Sequence, residues 1–354
     1  MSDAVQNVVL VIPALDPDAR LVELLCGLYR RWEGGIVVVD DGSLACCFPV
    51  FQKCRELGCE VVVHRKTRGK GAAIKTGIAR AEELWPDAVG VVTCDCDGRH
   101  LPRDVVAMGQ AVERDPAALH VGTRDFSLGT VPPKTRAFNA FTRLAIRFFC
   151  GVDVRDTQSG LRGMPMDFES ELIGEPADGF EFECALLCDA REAKLSFDEV
   201  PISYVADGNG PDTHFDPLRD TARILGVMLE LFVKCTLTSV GCYALDIVLF
   251  AVLEQAFIAV GWDVLAVGAA TVVARVVSAG ANFAVNRRRV FGADSSAARV
   301  ARYAVVAAGV MCASAIATTL FSQALDTPAV ATKVAVDLVL FFANYKLQHA
   351  WVFA

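Results

Sequence analysis

The stretch Ala88-Val89-Gly90-Val91-Val92-Thr93-Cys94-Asp95-Cys96-Asp97 changes abruptly from an apolar run to two carboxylates two positions apart. The apolar run predicts a buried strand. Residues i and i+2 of an extended chain point to the same side, so Asp95 and Asp97 can converge on one cation. Oxygen ligands of this kind suit Mg²⁺ or Mn²⁺. Taken alone, the same residues would equally fit a solvated turn before a helix, so the prediction depends on the neighbouring strands.

Three other apolar runs predict further buried strands, at Val8–Ile12, Ile36–Val39 and Val61–Val63. Helical patterns separate them: Asp18 suits the N-cap of one helix, and a second helix is predicted over Ala72–Leu84. Strands that alternate with helices predict an α/β domain with a mostly parallel sheet covered on both faces. In such sheets, ligands bind outside the carboxyl ends of the strands.

Charged side chains follow each of these predicted strands. The acidic residues in these positions are Asp16, Asp40, Asp41, Asp95 and Asp97. Lys70 lies between two glycines at the start of a predicted helix, where backbone N–H groups favour phosphate. Each motif alone fits an ordinary turn. Because all of them recur at the same edge of one sheet, the sequence predicts a site for a phosphate-bearing ligand and a metal.

Charge and cysteine usage exclude several classes of protein. The net charge of −8 argues against nucleic acid as a partner, since nucleic-acid binding requires a basic surface. The 13 cysteines are an odd number and show no spacing typical of a zinc site. We therefore expect reduced thiols and a cytosolic location for the first half of the chain.

The second half is far more apolar than the first and predicts a membrane domain. The overall apolar fraction of 53% is too high for an ordinary soluble protein, and the excess begins near Ile224. We predict domains at 1–223 and 224–354. Each of four apolar segments has the ~20 residues that span a ~30 Å hydrocarbon core. The predicted spans are Leu229–Leu253, Leu265–Ala284, Tyr303–Ala324 and Ala329–Val352.

Basic residues predict the topology of this multi-pass domain. The loop after the second span contains arginines at 287, 288, 289, 299 and 302, whereas the other two loops contain no Lys or Arg. By the positive-inside rule, that loop, both termini and the first domain face the cytoplasm at the cell membrane. Charges within the spans suggest function or pairing, and the candidates are Asp246, Arg275 and Asp337.

The membrane half also contains an internal repeat. The pattern Ala281-Asn282-Phe283 with Asn286 recurs as Ala343-Asn344-Tyr345 with Gln348. Two similar helical hairpins fit a four-helix unit, and a homo-oligomer formed through this domain is left open.

An amphipathic helix is predicted at about 134–150, before the membrane half. Arginines alternate there with aromatic and aliphatic residues. A helix of this kind fits an anionic bilayer surface and equally fits a core-facing helix with a solvated edge.

The motifs together resemble a known family. Val39-Asp40-Asp41-Gly42-Ser43, Arg68-Gly69-Lys70-Gly71 and Asp95-Cys96-Asp97-Gly98 are similar to family 2 glycosyltransferases with a GT-A fold. Val121-Gly122-Thr123-Arg124 and Asp156-Thr157-Gln158-Ser159-Gly160 are similar to the polyprenyl-phosphate group, which contains dolichol-phosphate mannose synthase. Residues 232–353 resemble the GtrA-type membrane domain.

The resemblance implies a nucleotide-sugar donor, UDP- or GDP-linked, and a polyprenyl phosphate acceptor. It assigns the base and ribose to Pro13, Asp16 and Asp40, and the metal and diphosphate to Asp95 and Asp97. Arg124 and Arg136 would contact phosphate groups. Other residues implied to lie beside these ligands are Ala14, Asp41, Lys70, Cys96, Gln158, Glu181, Glu183 and His214, the last of these near the acceptor.

Three departures from the family pattern affect this assignment. Near Thr213-His214-Phe215, where some relatives have Arg and Lys for the acceptor, only His214 is available. Leu15 replaces the usual aromatic residue beside the base, and Arg99 replaces the usual Gln near the metal. Arg99 can neutralise phosphate but cannot ligate a cation.

The expected activity is transfer of glucose or mannose to polyprenyl phosphate, assisted by Mg²⁺ or Mn²⁺ and with inversion at the anomeric carbon. The acceptor phosphate is already ionised at neutral pH, so no strong general base is needed. A processive polymer synthase is disfavoured, because the chain lacks a Gln-x-x-Arg-Trp type motif. The alternative is a lipid-sugar translocase whose first domain only senses nucleotide sugar.

Overall fold

The structure is a computed structural model that describes residues 4–128, 131–205, 219–260, 266–287, 297–324 and 329–352. The chain divides into two compact units, Met1–Met228 and Leu229–Ala354.

The first unit is built on a seven-stranded sheet with the order β3-β2-β1-β4-β6-β5-β7. The strands are β1 Val8–Ala14, β2 Ile36–Asp40, β3 Glu60–Val63, β4 Gly90–Thr93, β5 Ala118–Arg124, β6 Arg162–Pro165 and β7 Ser196–Ile202. All neighbours pair in parallel except β6, which is antiparallel to both β4 and β5. The predicted mostly parallel α/β sheet is confirmed.

Helices cover both faces of this sheet, as the alternation of strands and helices predicts. They are α1 Ala19–Leu28, α2 Phe48–Glu56, α3 Lys70–Leu84, α4 Pro102–Arg114, α5 Pro133–Phe149, α6 Glu169–Gly174 and α7 Phe182–Glu192. Asp18 caps α1 by accepting from the Arg20 N–H at 2.9 Å. Along β1, Val9 and Val11 join one apolar cluster while Val8, Leu10 and Ile12 join the other, because successive side chains of a strand point to opposite faces. Burial on both faces explains why β1 is a continuous apolar run.

Helix α5 has one buried face and one mixed exposed face. Asn139, Thr142 and Ile146 are buried, whereas Phe141 is 51% exposed and Leu144 is 68% exposed. Basic residues accompany these exposed apolar side chains on the same helix. The helix therefore has both a core-facing side and an exposed side with apolar and basic residues, so both alternatives of the sequence analysis stay open and contact with a bilayer stays a prediction.

The second part of the chain is helical where the structure describes it. The helices are α8 Arg219–Ala259, α9 Ala266–Val285, α10 Ala297–Ala324 and α11 Ala329–Leu347, followed by a π-helical turn at Gln348–Val352. Among the described residues, Thr236–Phe257 is the one segment long and apolar enough to cross a membrane by length and composition, and Val276–Val285 is a shorter apolar helix. The four predicted spans, and the topology based on the loop arginines, stay predictions. Residues 288–296 of that loop lie outside the described ranges.

The internal repeat appears as direct contacts between equivalent side chains. Asn286 Nδ2 donates to Gln348 Oε1 at 3.1 Å, and these two residues are 62 positions apart. Within each repeat, an i,i+4 hydrogen bond extends the chain of amides, from Asn286 to Asn282 and from Gln348 to Asn344. The two halves of the repeat therefore meet at a polar seam in an otherwise apolar unit.

One of the three charges predicted inside the apolar spans has a hydrogen-bond partner in this unit. The side chain of Asp246 accepts from the Ser278 hydroxyl at 2.9 Å, and both residues are buried. The side chains of Arg275 and Asp337 lie outside the described part of the structure.

Candidate active site

The loops after β1 and β2 are tied together by side-chain hydrogen bonds. The Asp16 N–H donates to Ser43 Oγ at 2.9 Å, and the Ser43 N–H donates to Asp40 Oδ1 at 2.8 Å. Asp16 Oδ1 accepts from the Leu44 N–H at 2.7 Å, and Asp16 has the left-handed backbone angle φ of 50°. The structure thus brings Asp16 and Asp40 together beside the ends of β1, where Pro13 and Ala14 are buried. Their role at a base and ribose site stays a prediction.

Asp41 holds the neighbouring loop in place. Its carboxylate, 3% exposed, lies 2.6 Å from His64 Nδ1 and accepts from the backbone N–H groups of Arg68 and Gly69 at 2.9 and 2.8 Å. His64 Nε2 in turn lies 3.0 Å from the Thr76 hydroxyl. Asp41 therefore positions the turn that contains Lys70, and its oxygens are used by protein donors.

The turn before α3 requires both of its glycines. Gly69 has a φ of 111°, and a Cβ at Gly69 would lie 2.3 Å from the Asp178 carbonyl oxygen. A Cβ at Gly71 would lie 2.6 Å from Phe182 Cβ. The Gly71 and Ala72 N–H groups donate to the carbonyls of Gly179 and Asp178. These amides were predicted to favour phosphate, but they hold the segment before α7 instead, and a phosphate role for the Lys70 side chain stays a prediction.

Lys70 bridges two carboxylates that are distant in sequence. Its Nζ lies 2.6 Å from Asp95 Oδ1 and 2.6 Å from Glu183 Oε1. Burial alone would lower the pKa of Lys70, but the charges of Asp95 and Glu183 raise it above its ordinary value. Burial would likewise raise the pKa of Asp95, yet Lys70 and then the hydrogen bond from His100 hold it well below its ordinary value. Both groups are therefore charged at neutral pH.

Asp97 is paired with its near neighbour Arg99. The Arg99 guanidinium contacts Asp97 Oδ2 through Nε at 2.6 Å and through a second nitrogen at 2.5 Å. The Arg99 N–H also donates to Asp97 Oδ1 at 3.1 Å. His100 Nε2 lies 3.3 Å from Asp95 Oδ2. Each carboxylate of the predicted metal pair is therefore engaged by basic side chains of the chain itself.

A second loop, from 156 to 160, closes over Asp95. Gly160 packs so closely that a Cβ there would lie 2.6 Å from both Asp95 carboxylate oxygens. The Gln158 N–H donates to Asp156 Oδ1 at 3.0 Å, and its side chain approaches Cys184 Sγ at 3.8 Å. Asp156 has no solvent exposure and forms a two-point ion pair with Arg124, at 2.6 and 3.0 Å.

Arg162 fixes this loop to the start of α7. It is 1% exposed, and its guanidinium donates to the backbone carbonyls of Thr157, Ser159 and Glu183. The contact to the Glu183 carbonyl joins the loop that contains Gln158 to the helix that contains the Lys70 partner. A buried cation satisfied by carbonyls thus sets the spacing of two predicted site residues.

Arg124 also lines an arginine-rich cavity of about 650 Å³ between the end of β5 and α5. We call this cavity the arginine groove; its arginines are Arg124, Arg136, Arg143, Arg147 and Arg155. Arg143 and Arg147 pair with Asp153, and Arg155 pairs with Glu199. Burial lowers the pKa of Arg124, but its contacts with Asp156 raise it overall, and smaller effects come from Arg99 and Asp95. Arg124 therefore lies within electrostatic reach of the Asp95 site and also lines the groove.

The donor atoms fit a metal ion only together with a ligand's oxygens. In the described ranges, no three His, Cys, Asp or Glu residues form a group that could hold an ion. Asp95 and Asp97 supply two hard oxygen ligands, which suits a cation shared with phosphate oxygens. Burial and the nearby carboxylates raise the pKa of the Cys96 thiol to about 12, so Cys96 stays protonated and is a poor ligand.

Sequence reasoning missed several residues that assemble this site. Asp156, His100 and Arg162 were not assigned roles, although Asp156 and Arg162 lie within or next to the motif that carries Gln158. Arg155 was not recognised as part of a basic surface, because it lies outside the amphipathic helix. His214, which was expected near the acceptor, lies outside the described residues.

Known proteins match both parts of the chain. The family model for glycosyl transferase family 2 matches residues 10–172, and the model for the GtrA/DPMS transmembrane domain matches residues 232–353. An uncharacterized protein of Methanocaldococcus jannaschii is 29% identical over 203 residues, which cover 56% of this chain and 82% of that protein.

Two further proteins are similar at lower identity. The UDP-N-acetylglucosamine–dolichyl-phosphate N-acetylglucosaminyltransferase of Methanococcus voltae is 25% identical over 250 residues, covering 66% of this chain and 96% of that protein. Among solved structures, glucosyl-3-phosphoglycerate synthase from Mycobacterium tuberculosis is 18% identical with a TM-score of 0.48, covering 64% of this chain and 78% of that one.

The two family models match consecutive parts of the chain, in the order that the motifs predict. The first model includes Asp16, Asp40, Asp95 and Asp97 at the ends of β1, β2 and β4, and the second covers most of the apolar helical part. The chain therefore contains a glycosyl transferase family 2 domain followed by a GtrA/DPMS transmembrane domain.

Proposed function

We propose that this protein transfers one sugar from a nucleoside diphosphate sugar to a polyprenyl phosphate, assisted by a divalent metal. The observation that carries the proposal is that Arg124 lies beside both the arginine groove and the carboxylate site. It lines the arginine groove, and its partner Asp156 accepts from the Gln158 N–H in the loop whose Gly160 packs against Asp95. An arginine between two phosphate-bearing substrates can stabilise negative charge on both of them.

The donor half of the proposed site lies at the ends of β1, β2 and β4. Asp16 and Asp40 would bind the nucleoside, and Lys70 and Arg99 would contact the diphosphate. Asp95 and Asp97 would hold Mg²⁺ or Mn²⁺, which supplies Lewis-acid stabilisation of the leaving nucleoside diphosphate. Because Lys70, Arg99 and the metal would be in place before the reaction, they would stabilise the negative charge that develops on the leaving nucleoside diphosphate.

The acceptor half of the proposed site is the arginine groove. A phosphate monoester is ionised at neutral pH, and arginine binds it in a planar two-point geometry. Arg136 lines the groove and has no ion-pair partner among the described residues, so it is the groove arginine best placed to accept a new anion. The exposed Phe141 and Leu144 on α5 would contact the lipid or the bilayer surface. Alignment of the acceptor oxygen with the anomeric carbon leads to a single displacement with inversion.

The experiment described below determines which sugar is transferred. The name of the Methanococcus voltae relative specifies UDP-N-acetylglucosamine and dolichyl phosphate. N-acetylglucosamine therefore joins glucose and mannose as a candidate. Glu183 and Gln158 are the residues proposed to contact the sugar. Lys70 bonds to the Glu183 carboxylate, and Arg162 donates to the backbone carbonyls on either side of Gln158.

The test uses the full chain in lipid nanodiscs with Mn²⁺ and a panel of UDP- and GDP-sugars. We expect one donor to release nucleoside diphosphate and to yield a glycolipid when polyprenyl phosphate is present. The matched control is the corresponding polyprenol, which lacks the phosphate and should give no product. If no donor in the panel glycosylates polyprenyl phosphate, the proposed acceptor is wrong.

A further inference from the structure

The carboxylates of Asp95 and Asp97 are already neutralised by two long basic side chains. Lys70 Nζ contacts Asp95 Oδ1, while Arg99 contacts Asp97 Oδ2 through two nitrogens. These are short, charge-assisted contacts of 2.5 to 2.6 Å. A divalent cation that binds this pair must therefore displace, or share oxygens with, two cations that belong to the protein.

The same region offers a metal few other ligands. No third His, Cys, Asp or Glu completes a metal-binding group among the residues that the structure describes. A cation that arrived alone would also lie close to the displaced ammonium and guanidinium groups, and like charges repel strongly at such distances. Metal binding by the protein alone is therefore opposed twice, by the loss of two ion pairs and by repulsion.

A diphosphate removes both obstacles at once. Its oxygens supply the missing metal ligands, and its negative charge provides a new partner for Lys70 and Arg99. Both side chains are long enough to turn from a carboxylate to a neighbouring phosphate. Arg99 is 36% exposed and Lys70 is 16% exposed.

We propose that Lys70 and Arg99 act as exchangeable counterions. Each neutralises a carboxylate in the free protein and transfers to the diphosphate when the metal takes that carboxylate. Metal and nucleotide consequently bind with strong positive coupling, and each raises the affinity of the other by the same factor. This inference rests on the proposed function for the presence of a nucleotide site, but it concerns binding and not the acceptor.

The experiment measures Mn²⁺ binding to the full chain by the paramagnetic resonance signal of free Mn²⁺, without nucleotide and with UDP or GDP. For the natural sequence, we expect weak binding of Mn²⁺ alone and a gain of about tenfold or more with the preferred nucleotide. In Arg99→Gln, Mn²⁺ alone should bind about tenfold tighter, while the gain from nucleotide should fall by a similar factor. Lys70→Met should change both quantities in the same direction.

Arg20→Gln is the matched control. Arg20 pairs with Asp18, and its pKa is also raised by Asp97, so it lies in the same electric field without contacting that carboxylate. If charge removal alone were responsible, Arg20→Gln would strengthen Mn²⁺ binding as much as Arg99→Gln does, and the exchange would be refuted. It would equally be refuted if Arg99→Gln and the natural sequence bound Mn²⁺ alone with the same affinity. Because the Mn²⁺–nucleotide complex in solution is common to all variants, it cancels in the comparison.

The outcome separates this inference from the proposed function. If Mn²⁺ and nucleotide bind with coupling that Arg99→Gln reduces, but no polyprenyl phosphate is glycosylated, the exchange stands and the acceptor is wrong. If transfer occurs and Arg99→Gln leaves the coupling unchanged, the acceptor stands and the exchange is wrong.

Discussion

Gly160 shows how one missing side chain shapes the proposed site. Its backbone lies against Asp95, where a Cβ would come within 2.6 Å of both carboxylate oxygens. No rotation of the Gly160 residue can relieve this contact, so Asp95 itself must move. Misplacement of a reacting group by about 1 Å can cost about 10²-fold in rate.

We therefore expect Gly160→Ala to lower kcat/KM for transfer by about 10²-fold and to weaken Mn²⁺–nucleotide binding, because the Asp95 oxygens shift. Steady-state kinetics and Mn²⁺ titration measure the two effects. Gly174→Ala is the matched control, since a Cβ there meets nothing within 4 Å. Equal activity in the two variants would show that Asp95 does not depend on this contact.

The Arg124–Asp156 pair gives a second prediction at the residue scale. Asp156 has no exposure, so Asp156→Asn leaves the Arg124 guanidinium without its buried counterion. Loss of one partner of a buried pair costs roughly 3–5 kcal/mol of unfolding free energy. Chemical unfolding of the first unit within the full chain measures this loss.

The comparison variant is Asp153→Asn, which breaks the exposed contacts with Arg143 and Arg147. Exposed pairs contribute about 0–1 kcal/mol, so this variant should remain close to the natural sequence. Similar losses in both variants would mean that burial of Asp156 is not what gives the pair its strength.

At the scale of elements, four of the seven strands were predicted from the sequence, and the contacts between strands were not. β1, β2 and β4 are buried on both faces, so their sequences are unbroken apolar runs. β6 is short and begins with Arg162, and no periodicity marks it as a strand. Its antiparallel position between β4 and β5 depends on long-range pairing, which local sequence does not encode.

The site residues at strand ends were predictable in the same way, whereas contacts that depend on helix packing were not. Strand ends placed Asp16, Asp40, Asp95 and Asp97 at one edge, because parallel strands all present their carboxyl ends there. The Lys70–Glu183 bond joins positions 113 residues apart, and its existence depends on how α7 packs. The phosphate role expected of the α3 amides was lost for the same reason, since the Asp178 and Gly179 carbonyls occupy them.

Helix α5 gives a prediction about the acceptor. Replacing Phe141 and Leu144 with Ser removes two exposed apolar side chains that would contact the bilayer or the lipid. Partial burial of such side chains contributes about 1 kcal/mol each, so the apparent KM for long-chain polyprenyl phosphate should rise about thirtyfold. A short, water-soluble prenyl phosphate should show an unchanged KM in the same assay.

Leu57→Ser serves as the control for this helix, because Leu57 is an exposed apolar residue that follows α2, outside the arginine groove. Its KM for the long-chain acceptor should equal that of the natural sequence. If the α5 variant also kept its KM, contact between α5 and the lipid would be excluded.

The seam between the two repeats of the apolar unit yields a further prediction. The Asn286–Gln348 bond joins equivalent positions of the repeat. Interhelical hydrogen bonds of this kind contribute about 0.6 kcal/mol on average in membranes, and up to about 1.7. A double-mutant cycle of Asn286→Leu and Gln348→Leu in the full chain should therefore give a coupling energy in this range by thermal unfolding in detergent.

The control cycle pairs Gln348→Leu with Ser278→Ala, because Ser278 bonds to Asp246 instead. That coupling should be close to zero. A coupling for Asn286 and Gln348 no larger than this control would show that the seam does not hold the repeats together.

At the scale of the whole molecule, a carboxylate site, an arginine groove and an apolar helical part occur in one chain. Family models match the first and last of these in sequence order. Composition alone separated the two parts, because the apolar excess is confined to residues after 224. The groove was only partly predictable, since its arginines come from β5, α5 and the loop before β6, and only folding brings them together.

Whether the first unit transfers sugar to polyprenyl phosphate is tested most directly with Asp97→Asn. The natural sequence and this variant are compared in nanodiscs that contain polyprenyl phosphate, Mn²⁺ and the preferred sugar nucleotide. If the first unit is the transferase, Asp97→Asn should lower glycolipid formation by at least about 10²-fold, because the metal loses a carboxylate ligand. Membrane insertion should be unchanged. Glycolipid formation at the natural rate in Asp97→Asn would contradict the account, as would movement of preformed glycolipid across the bilayer without any transfer by either protein.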